Sequence, residues 1–287
     1  MAGTNDQNNK VYSARMSDKD FKRLSQFITE HAGIKLPDVK KVMLQSRLQK
    51  RLRELNMDNY KEYVDFVFSE EGLQNEIIHM LDVVSTNKTD FFREPVHFEF
   101  LEKNVVPEYA RQFPLSRQMK VWSAGCSSGE EVYTIAITLE ESKEQHPGLN
   151  YRILGTDIST DILQRAINAV YKEEKVETVP DKLKKKYLLR SKDRKLKKVR
   201  VISDLRNKAS FKRLNFMDTT YNIAEEFDVI FCRNVLIYFN RDTQEKVINR
   251  LCTKLRKGGY FFIGHSESIM GMDVPLKQIK PTIFVRT

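Results

Sequence analysis

Helical spacing dominates the first third of the chain. Apolar residues recur there every three or four positions, which places them on one face of an α-helix. Four helices are predicted: one from a cap at Ser17 or Asp18 to Gly33, one from about Pro37, and two over residues 58–70 and 73–86. We therefore predict a small all-α N-terminal domain over residues 17–86. Residues 1–16 are polar and Asn-rich and are expected to be disordered, and residues 87–119 are expected to form a linker helix.

From about Val121 the pattern changes to short apolar runs separated by helical segments. The runs are MKVWSAG, YRILGTDIS, ASFKRLNF, FDVIFCRN, GYFFIGHS and TIFVRT. Strands that alternate with helices are typical of a parallel sheet covered on both faces. We therefore predict an α/β domain over residues 120–287, in which the last run pairs antiparallel with GYFFIGHS. The alternating run KKVRVISD is assigned to a small β insertion near residues 190–206.

Length and composition agree with two domains. The chain has 287 residues, 40% of them hydrophobic, which is enough for two separate cores. No stretch approaches the ~20 uninterrupted apolar residues of a membrane span, and the N-terminus is polar rather than signal-like. The three cysteines form no C-x-x-C pair, so reduced thiols and no metal site are expected. These features favour a cytoplasmic protein without membrane insertion, which we expect to be a monomer.

The net charge of +10 is local. Residues 182–213 contain fifteen Lys and Arg against two Asp, so the rest of the chain carries about −3. A basic segment is typical of nucleic-acid binding, but lysines that merely solvate a surface give the same pattern. The charge alone leaves both interpretations open.

The segment VWSAGCSSGEE is predicted to form a strand, a glycine turn and the start of a helix. Gly125 and Gly129 would allow a tight turn and the close approach of a ligand. A phosphate-binding loop would place Lys-Ser or Lys-Thr here, whereas this chain has Glu130 and Glu131. Two acids could simply complement the helix dipole, but Asp157 also ends the next strand, where an acid can accept hydrogen bonds from ribose. The combination favours an adenosine-containing ligand without phosphates, namely S-adenosylmethionine.

Five segments carry a more specific signal: STNKTDFFRE (85–94), WSAGCSSGEE (122–131), TDIS (156–159), FDVIFCRNVLIYF (227–239) and GHSES (264–268). In this order they resemble the chemotaxis-receptor glutamate methyltransferases, the CheR family, over nearly the whole chain from about Ser17. The resemblance implies a Rossmann-like class I methyltransferase sheet and the cofactor S-adenosylmethionine, with S-adenosylhomocysteine as product. The implied substrates are glutamates on the cytoplasmic helical domain of methyl-accepting chemotaxis receptors. Val132 stands where the family usually has proline, which is expected to cost rigidity but no chemistry.

The resemblance also implies residue roles. The residues expected to bind the cofactor are Asn87, Thr89, Arg93, Glu131, Asp157, Asn215, Phe216, Arg233 and Asn234. Asp157 would hold the ribose, and Asn215 with Phe216 would line the adenine pocket. Arg233, Asn234 and Tyr238 would border the methyl group and the substrate. Arg93 and Tyr238 are the candidate catalytic residues.

The implied reaction needs little acid–base chemistry. A glutamate side chain is already an anion at pH 7, because its pKa is near 4.3. The leaving thioether is neutral, so catalysis reduces to alignment and desolvation. We therefore assign Arg93 to positioning rather than to activation, since an arginine locked onto the reacting oxygen would lower its nucleophilicity.

Two other functions are compatible with parts of the sequence. A nucleic-acid methyltransferase would suit the basic segment, but enzymes that methylate exocyclic amines commonly carry an Asn/Asp-Pro-Pro-aromatic run where this chain has CRNVLIY. A non-catalytic protein that binds cofactor or partner is the second rival, and the sequence alone does not prove turnover.

Two partner surfaces also remain hypotheses. The insertion could dock a receptor C-terminal peptide by strand addition, although it lacks the glycines that docking members of the family tend to have. The basic residues Arg47, Lys50 and Arg51 could meet acidic receptor segments or simply face solvent.

Overall fold

The computed structural model describes residues 15–114 and 116–287. The expected disorder of residues 1–16 therefore lies outside the described residues, apart from the last two. Of these, Met16 is only 2% exposed and packs in the core of the helical domain, so ordered structure begins before the predicted boundary.

The N-terminal domain is all-α, as predicted. Its helices are α1 (Asp18–Ala32), α2 (Lys41–Glu54), α3 (Tyr60–Val67) and α4 (Glu70–Val84). Ser17 caps α1 by accepting a hydrogen bond from the Asp20 backbone N–H at 3.1 Å, which satisfies a donor that the first helical turn leaves free. The second helix begins later than predicted, because a short 3₁₀ turn precedes it.

The predicted linker helix is wrong for its first part. Residues 87–95 form turns and bends without regular structure. The helix then runs from α5 (Val96–Phe100) through one π-helical segment (Leu101–Val105) into α6 (Val106–Gln112). Residues of the irregular part line a cavity together with residues at the ends of strands of the C-terminal domain.

The C-terminal domain alternates strands and helices. Its elements, in chain order, are β1 (Met119–Ala124), α7 (Glu130–Ser142), β2 (Tyr151–Asp157), α8 (Thr160–Asn168), β3 (Val170–Lys172), α9 (Asp181–Tyr187), β4 (Leu188–Arg190), β5 (Lys198–Val201), α10 (Ser203–Arg206), β6 (Ala209–Arg213), β7 (Phe227–Cys232), α11 (Arg241–Cys252), β8 (Leu255–Ile263), β9 (Leu276–Lys280) and β10 (Ile283–Arg286). Every predicted strand run contains one of these strands.

The main sheet has the strand order β6-β2-β1-β7-β8-β10-β9. The first five strands are parallel, and β10 runs antiparallel to β8, as predicted. The sequence analysis missed β9, which pairs with β10 at the edge. The strand order reverses at β1, between β2 and β7, and in open α/β sheets ligands bind at the carboxyl ends of the strands at such a point.

The β insertion is larger than predicted. Its sheet has the order β3-β5-β4 and is antiparallel. It extends from residue 170 to residue 201, whereas the prediction placed it near 190–206. The run KKVRVISD does supply β5, but its last residues begin the short helix α10.

Hydrogen bonds join the two domains around the carboxyl ends of the strands. The Asn215 side chain donates to the His31 carbonyl at 2.6 Å, and the Lys35 N–H donates to the Tyr238 carbonyl at 3.1 Å. On the other side, Asp82 accepts from the backbone N–H of Thr160 at 2.8 Å and from its hydroxyl at 2.9 Å. These bonds hold the helical domain against the edge of the sheet where β1, β2 and β7 end.

None of the helices in the described part of the chain is both long and apolar enough to cross a membrane. The expected monomeric state stays a prediction.

Candidate active site

A cleft of about 940 Å³ of empty space, including its solvent-open part, lies between the two domains at the carboxyl ends of β1, β2 and β7. All ten residues predicted from the sequence line it: Asn87, Thr89, Arg93, Glu131, Asp157, Asn215, Phe216, Arg233, Asn234 and Tyr238. The helical domain contributes Ala32 and Ile34, which the sequence analysis did not foresee. The sequence pattern indicated only that Ala32 ends a helix and that Ile34 lies in the loop after it.

The glycine turn between β1 and α7 depends on left-handed backbone. Gly125 has φ 85° and Gly129 has φ 92°, values that glycine adopts without strain. A Cβ on Gly125 would lie 2.4 Å from Cγ2 of Val235, and one on Gly129 would lie 2.9 Å from Cβ of Ala166. The turn therefore needs glycine for its tight backbone, as predicted, and also because of its own protein neighbours, which the sequence did not indicate.

Asp157 ties this turn to the end of β2. Its Oδ2 accepts from the Ser127 N–H at 2.9 Å, and its Oδ1 accepts from the Ser159 N–H at 3.1 Å. Burial raises the pKa of Asp157, and the backbone donors oppose that rise. The carboxylate is thus fixed at the edge of the cleft, with lone pairs left for a further donor.

The two glutamates that follow the turn have different surroundings. Glu131 lines the cleft, accepts from the Ser123 hydroxyl at 2.7 Å and forms an ion pair with Arg233 at 3.1 Å. Glu130 accepts from the Ser128 hydroxyl at 2.6 Å and lines a separate depression outside the cleft. Burial raises the pKa of both carboxyl groups. Only Glu131 is therefore placed to meet a ligand in the cleft.

Arg233 is the centre of a buried ion-pair cluster. Its side chain is 2% exposed and lies between Glu131 and Glu94, whose Oε2 is 3.0 Å from Nη2. The same nitrogen donates to the backbone carbonyl of Arg93. We call Glu94, Glu131 and Arg233 the Arg233 cluster. It joins the start of α7, the end of β7 and the irregular 87–95 segment, so Arg233 shapes the cleft from within the protein.

Glu94 and Glu267 are functional positions that the sequence analysis missed, although both lie in quoted motifs. Glu94 also accepts from the Asn234 side chain at 3.2 Å. Glu267 accepts from the backbone N–H groups of Asn234 at 2.9 Å, Leu236 at 2.7 Å and Gly264 at 2.6 Å. Asn234 has φ 58°, an unusual value for a non-glycine residue. These hydrogen bonds hold the CRNVLIY turn in that conformation. The only sequence signal was an acid inside each motif.

Arg93 and Tyr238 also line the cleft, and we call the part that they form the open side. Arg93 donates to the Lys88 carbonyl at 2.9 Å, and no carboxylate within residues 15–114 and 116–287 lies within 4.0 Å of its guanidinium. The Tyr238 hydroxyl has no hydrogen-bond partner among the described residues. Phe92 and Glu94, on either side of Arg93, both have positive φ, of 53° and 57°. Such strain is often found at functional sites.

Asn215 and Phe216 form the far end of the cleft. The Asn215 amide is committed to the His31 carbonyl and to the Met217 N–H, so it holds the domains together. Phe216 packs edge-on against Phe239, with ring centroids 6.2 Å apart. This end of the cleft therefore offers an aromatic ring beside a rigid polar contact.

One of the three basic residues considered as a partner surface is internal. Arg51 forms a two-point ion pair with the buried Glu76, with contacts of 2.8 and 2.7 Å. Tyr63 donates to the same carboxylate at 2.9 Å. The hypothesis that Arg51 meets a receptor is therefore wrong, because its charge is already neutralised inside the helical domain.

The chemistry of the cleft fits S-adenosylmethionine. The fixed carboxylates of Glu131 and Asp157 favour hydroxyl and ammonium donors and repel phosphates. Phe216 adds an apolar aromatic ring to the lining. The glycine turn itself carries Glu130 and Glu131 where a nucleotide triphosphate requires Lys-Ser or Lys-Thr; the Lys88-Thr89 pair in the lining belongs to the irregular 87–95 segment and not to a helix N-terminus.

Comparison with known proteins gives the same result. The family description "CheR methyltransferase, SAM binding domain" matches residues 87–285, and "CheR methyltransferase, all-alpha domain" matches residues 19–85. A chemotaxis protein methyltransferase of Borreliella burgdorferi is 37% identical over 97% of this chain and 98% of its own length. Chemotaxis protein methyltransferase 2 of Pseudomonas aeruginosa is 36% identical over 93% and 92%, and the Salmonella typhimurium protein is 36% identical over 90% and 86%. The chain therefore belongs to the CheR family of S-adenosylmethionine-dependent chemotaxis methyltransferases.

Proposed function

We propose that this enzyme esterifies glutamate side chains on the cytoplasmic helical domain of bacterial chemoreceptors. The observation that carries the proposal is the open side of the cleft, where Arg93 presents a cation without a carboxylate partner among the described residues and Tyr238 presents a hydroxyl without a hydrogen-bond partner among them. Both groups suit a carboxylate that enters from outside. The relatives named chemotaxis protein methyltransferases support a substrate in the same signalling system.

Some residues of the cleft bind the cofactor, and others position the substrate carboxylate. When bound, S-adenosylmethionine supplies an activated methyl group. Glu131 and Asp157 accept hydrogen bonds from its donor groups, and Phe216 covers its base. Arg93 and Tyr238 hold the substrate carboxylate in line without removing its charge, because a fully neutralised carboxylate would be a poorer nucleophile. These roles are assigned from chemistry and position.

A general base is unnecessary for this reaction, and the described lining agrees with that. It contains no histidine or cysteine. Its carboxylates, Asp90, Glu131 and Asp157, already accept protein hydrogen bonds. The substrate glutamate is ionised at neutral pH, so orientation and exclusion of water are the contributions left to the protein.

The test is methyl transfer from radiolabelled S-adenosylmethionine to membranes that contain chemoreceptors. We expect label that is released as volatile methanol in mild base, as a carboxyl methyl ester requires. The matched controls are membranes from cells without receptors and receptors whose candidate glutamates are replaced by alanine. Base-stable label, or label in nucleic acid, would contradict the proposal and favour the rival methyltransferase.

We further propose that the β insertion docks a receptor C-terminal peptide. In its support, β4 is an outer strand of the small sheet, and Leu189 on it is 58% exposed. Calorimetric titration with such a peptide should detect binding that Leu189→Ala weakens. Leu196→Ala, at an equally exposed leucine in the neighbouring turn, is the control. Absence of heat at high micromolar peptide would remove this proposal and leave the esterification proposal intact.

A further inference from the structure

Three potential metal ligands meet beside the cleft. Glu94, His97 and His265 each offer one ligand atom, and these atoms all lie within 4.8 Å of one another. His97 lies on α5 and is buried, whereas His265 follows β8 and is exposed. Glu94 connects this group to the Arg233 cluster. Methyl transfer as proposed above uses neither histidine.

Hydrogen bonding defines the tautomer of His97. The Thr282 hydroxyl donates its single proton to the Pro281 carbonyl at 2.6 Å. Its oxygen therefore accepts from His97, whose Nε2 lies 2.7 Å away. The proton of the neutral ring is thus on Nε2, and Nδ1 carries a lone pair.

That lone pair is buried and has no hydrogen-bond partner among the described residues. Oε2 of Glu94 lies 3.6 Å from it. Two acceptors that face each other without a donor between them are unfavourable in a buried place. The position calls for an electron-pair acceptor, and the exposed His265 provides a third ligand and a route from solvent.

The ligand chemistry indicates the class of ion. Two imidazoles with one carboxylate suit zinc and similar divalent transition metals, whereas magnesium and calcium prefer oxygen ligands. The bond from His97 Nε2 to Thr282 is the kind of outer contact that commonly orients a metal-binding histidine. Three protein ligands leave at least one coordination position for water.

We propose that Glu94, His97 and His265 bind a divalent transition-metal ion, such as zinc, and that binding weakens cofactor affinity. Glu94 Oε2 also holds Arg233 Nη2, at 3.0 Å. A metal ion that coordinates this oxygen competes with the Arg233 guanidinium for it. The competition loosens the Arg233 cluster, which supports the Arg93 backbone and Glu131. The added positive charge also disfavours a cationic cofactor nearby.

The first test is titration of the full-length protein with cobalt(II), whose absorption in the visible region reports imidazole ligands. We expect one ion per chain. His265→Ala, at an exposed position that the fold does not need, should weaken binding about 10-fold or more. The control is His79→Ala, at an exposed histidine on α4. Absence of the absorption band, or equal affinity in His265→Ala and wild type, would overturn the proposal.

The second test measures coupling without any methyl acceptor, so it does not depend on the glutamate substrate. S-adenosylmethionine is titrated with and without saturating zinc. We expect zinc to weaken its binding about 5- to 100-fold, and the same factor should appear in zinc affinity when the order is reversed. His265→Ala should lose this effect. Unchanged cofactor affinity in saturating zinc would overturn the regulatory part of the proposal.

Discussion

The two sides of the cleft use the same type of side chain for different purposes. Arg233 is almost fully buried, and both arms of its guanidinium are engaged by carboxylates. Arg93 is partly exposed, and its recorded hydrogen bond goes to a neutral backbone carbonyl. The first arginine fixes the shape of the cleft because its charge is neutralised. The second can act on a ligand because its charge is not. A buried charge with partners and an available charge thus lie in the same cleft, connected through the hydrogen bond from Arg233 to the Arg93 carbonyl.

The largest expected effect comes from removing the buried charge. Arg233→Met leaves Glu94 and Glu131 buried without their partner, and breaking such a pair costs about 3–5 kcal/mol. Urea denaturation should show this loss in the free energy of unfolding, and methyl transfer should be undetectable. Arg93→Met is the matched control, with an expected change of about 0.5 kcal/mol or less. Equal destabilisation by the two substitutions would refute the distinction between the two sides.

A smaller and purely kinetic effect is expected at Tyr238. Tyr238→Phe removes one hydroxyl that no described protein group uses, so the free energy of unfolding should not change. If the hydroxyl donates to the substrate carboxylate, a hydrogen bond to a charged group is lost, and kcat should fall about 10- to 100-fold. Steady-state methylation assays measure this, together with calorimetry of S-adenosylhomocysteine, whose affinity should be unchanged. A variant with normal kcat would exclude Tyr238 from the reaction.

The adjacent glutamates allow the comparison to be made within a single helical turn. Glu131→Gln should weaken S-adenosylhomocysteine binding about 10-fold, because a charged acceptor in the cleft becomes neutral. Glu130→Gln should leave binding unchanged, since that carboxylate faces Ser128 outside the cleft. Calorimetry on both variants measures the difference. If both weakened binding equally, a general effect of acids at the helix start would explain the data better than a contact in the cleft.

Much of this arrangement could be predicted because it depends on local sequence. The buried strands contain apolar runs, such as VIFC in β7, and the residues that end them lie together at the carboxyl ends of the strands. The short strands β3 and β4, of three residues each, are too brief to leave a pattern. The edge strand β9 was missed because most of its residues are exposed.

The roles of Glu94 and Glu267 could not be predicted because they depend on distant partners. Glu94 meets Arg233 across 139 residues of sequence. Glu267 acts on backbone N–H groups, which a sequence does not display. The irregular conformation around Arg93 could not be predicted either. Phe92 adopts left-handed backbone although it is not a glycine, so the sequence does not indicate this conformation. Tertiary contacts decide these features, whereas local propensity decides the strands and helices.

The smallest expected effect is a pH dependence of cofactor affinity. Burial raises the pKa of Glu131 above its ordinary value of 4.5, against the opposing effect of Arg233. Ligand donors need the ionised carboxylate, so affinity should be complete above the raised pKa and should fall as the pH drops through it. The loss in mildly acidic buffer should be smaller than that caused by Glu131→Gln, because protonation is only partial there. Calorimetry with S-adenosylhomocysteine from pH 8 to pH 5 measures the profile. Glu131→Gln should flatten it and leave only the contribution of Asp157, whose pKa burial also raises. An identical profile in the variant would show that Glu131 stays ionised throughout, and that the neighbouring charge of Arg233 outweighs burial at this position.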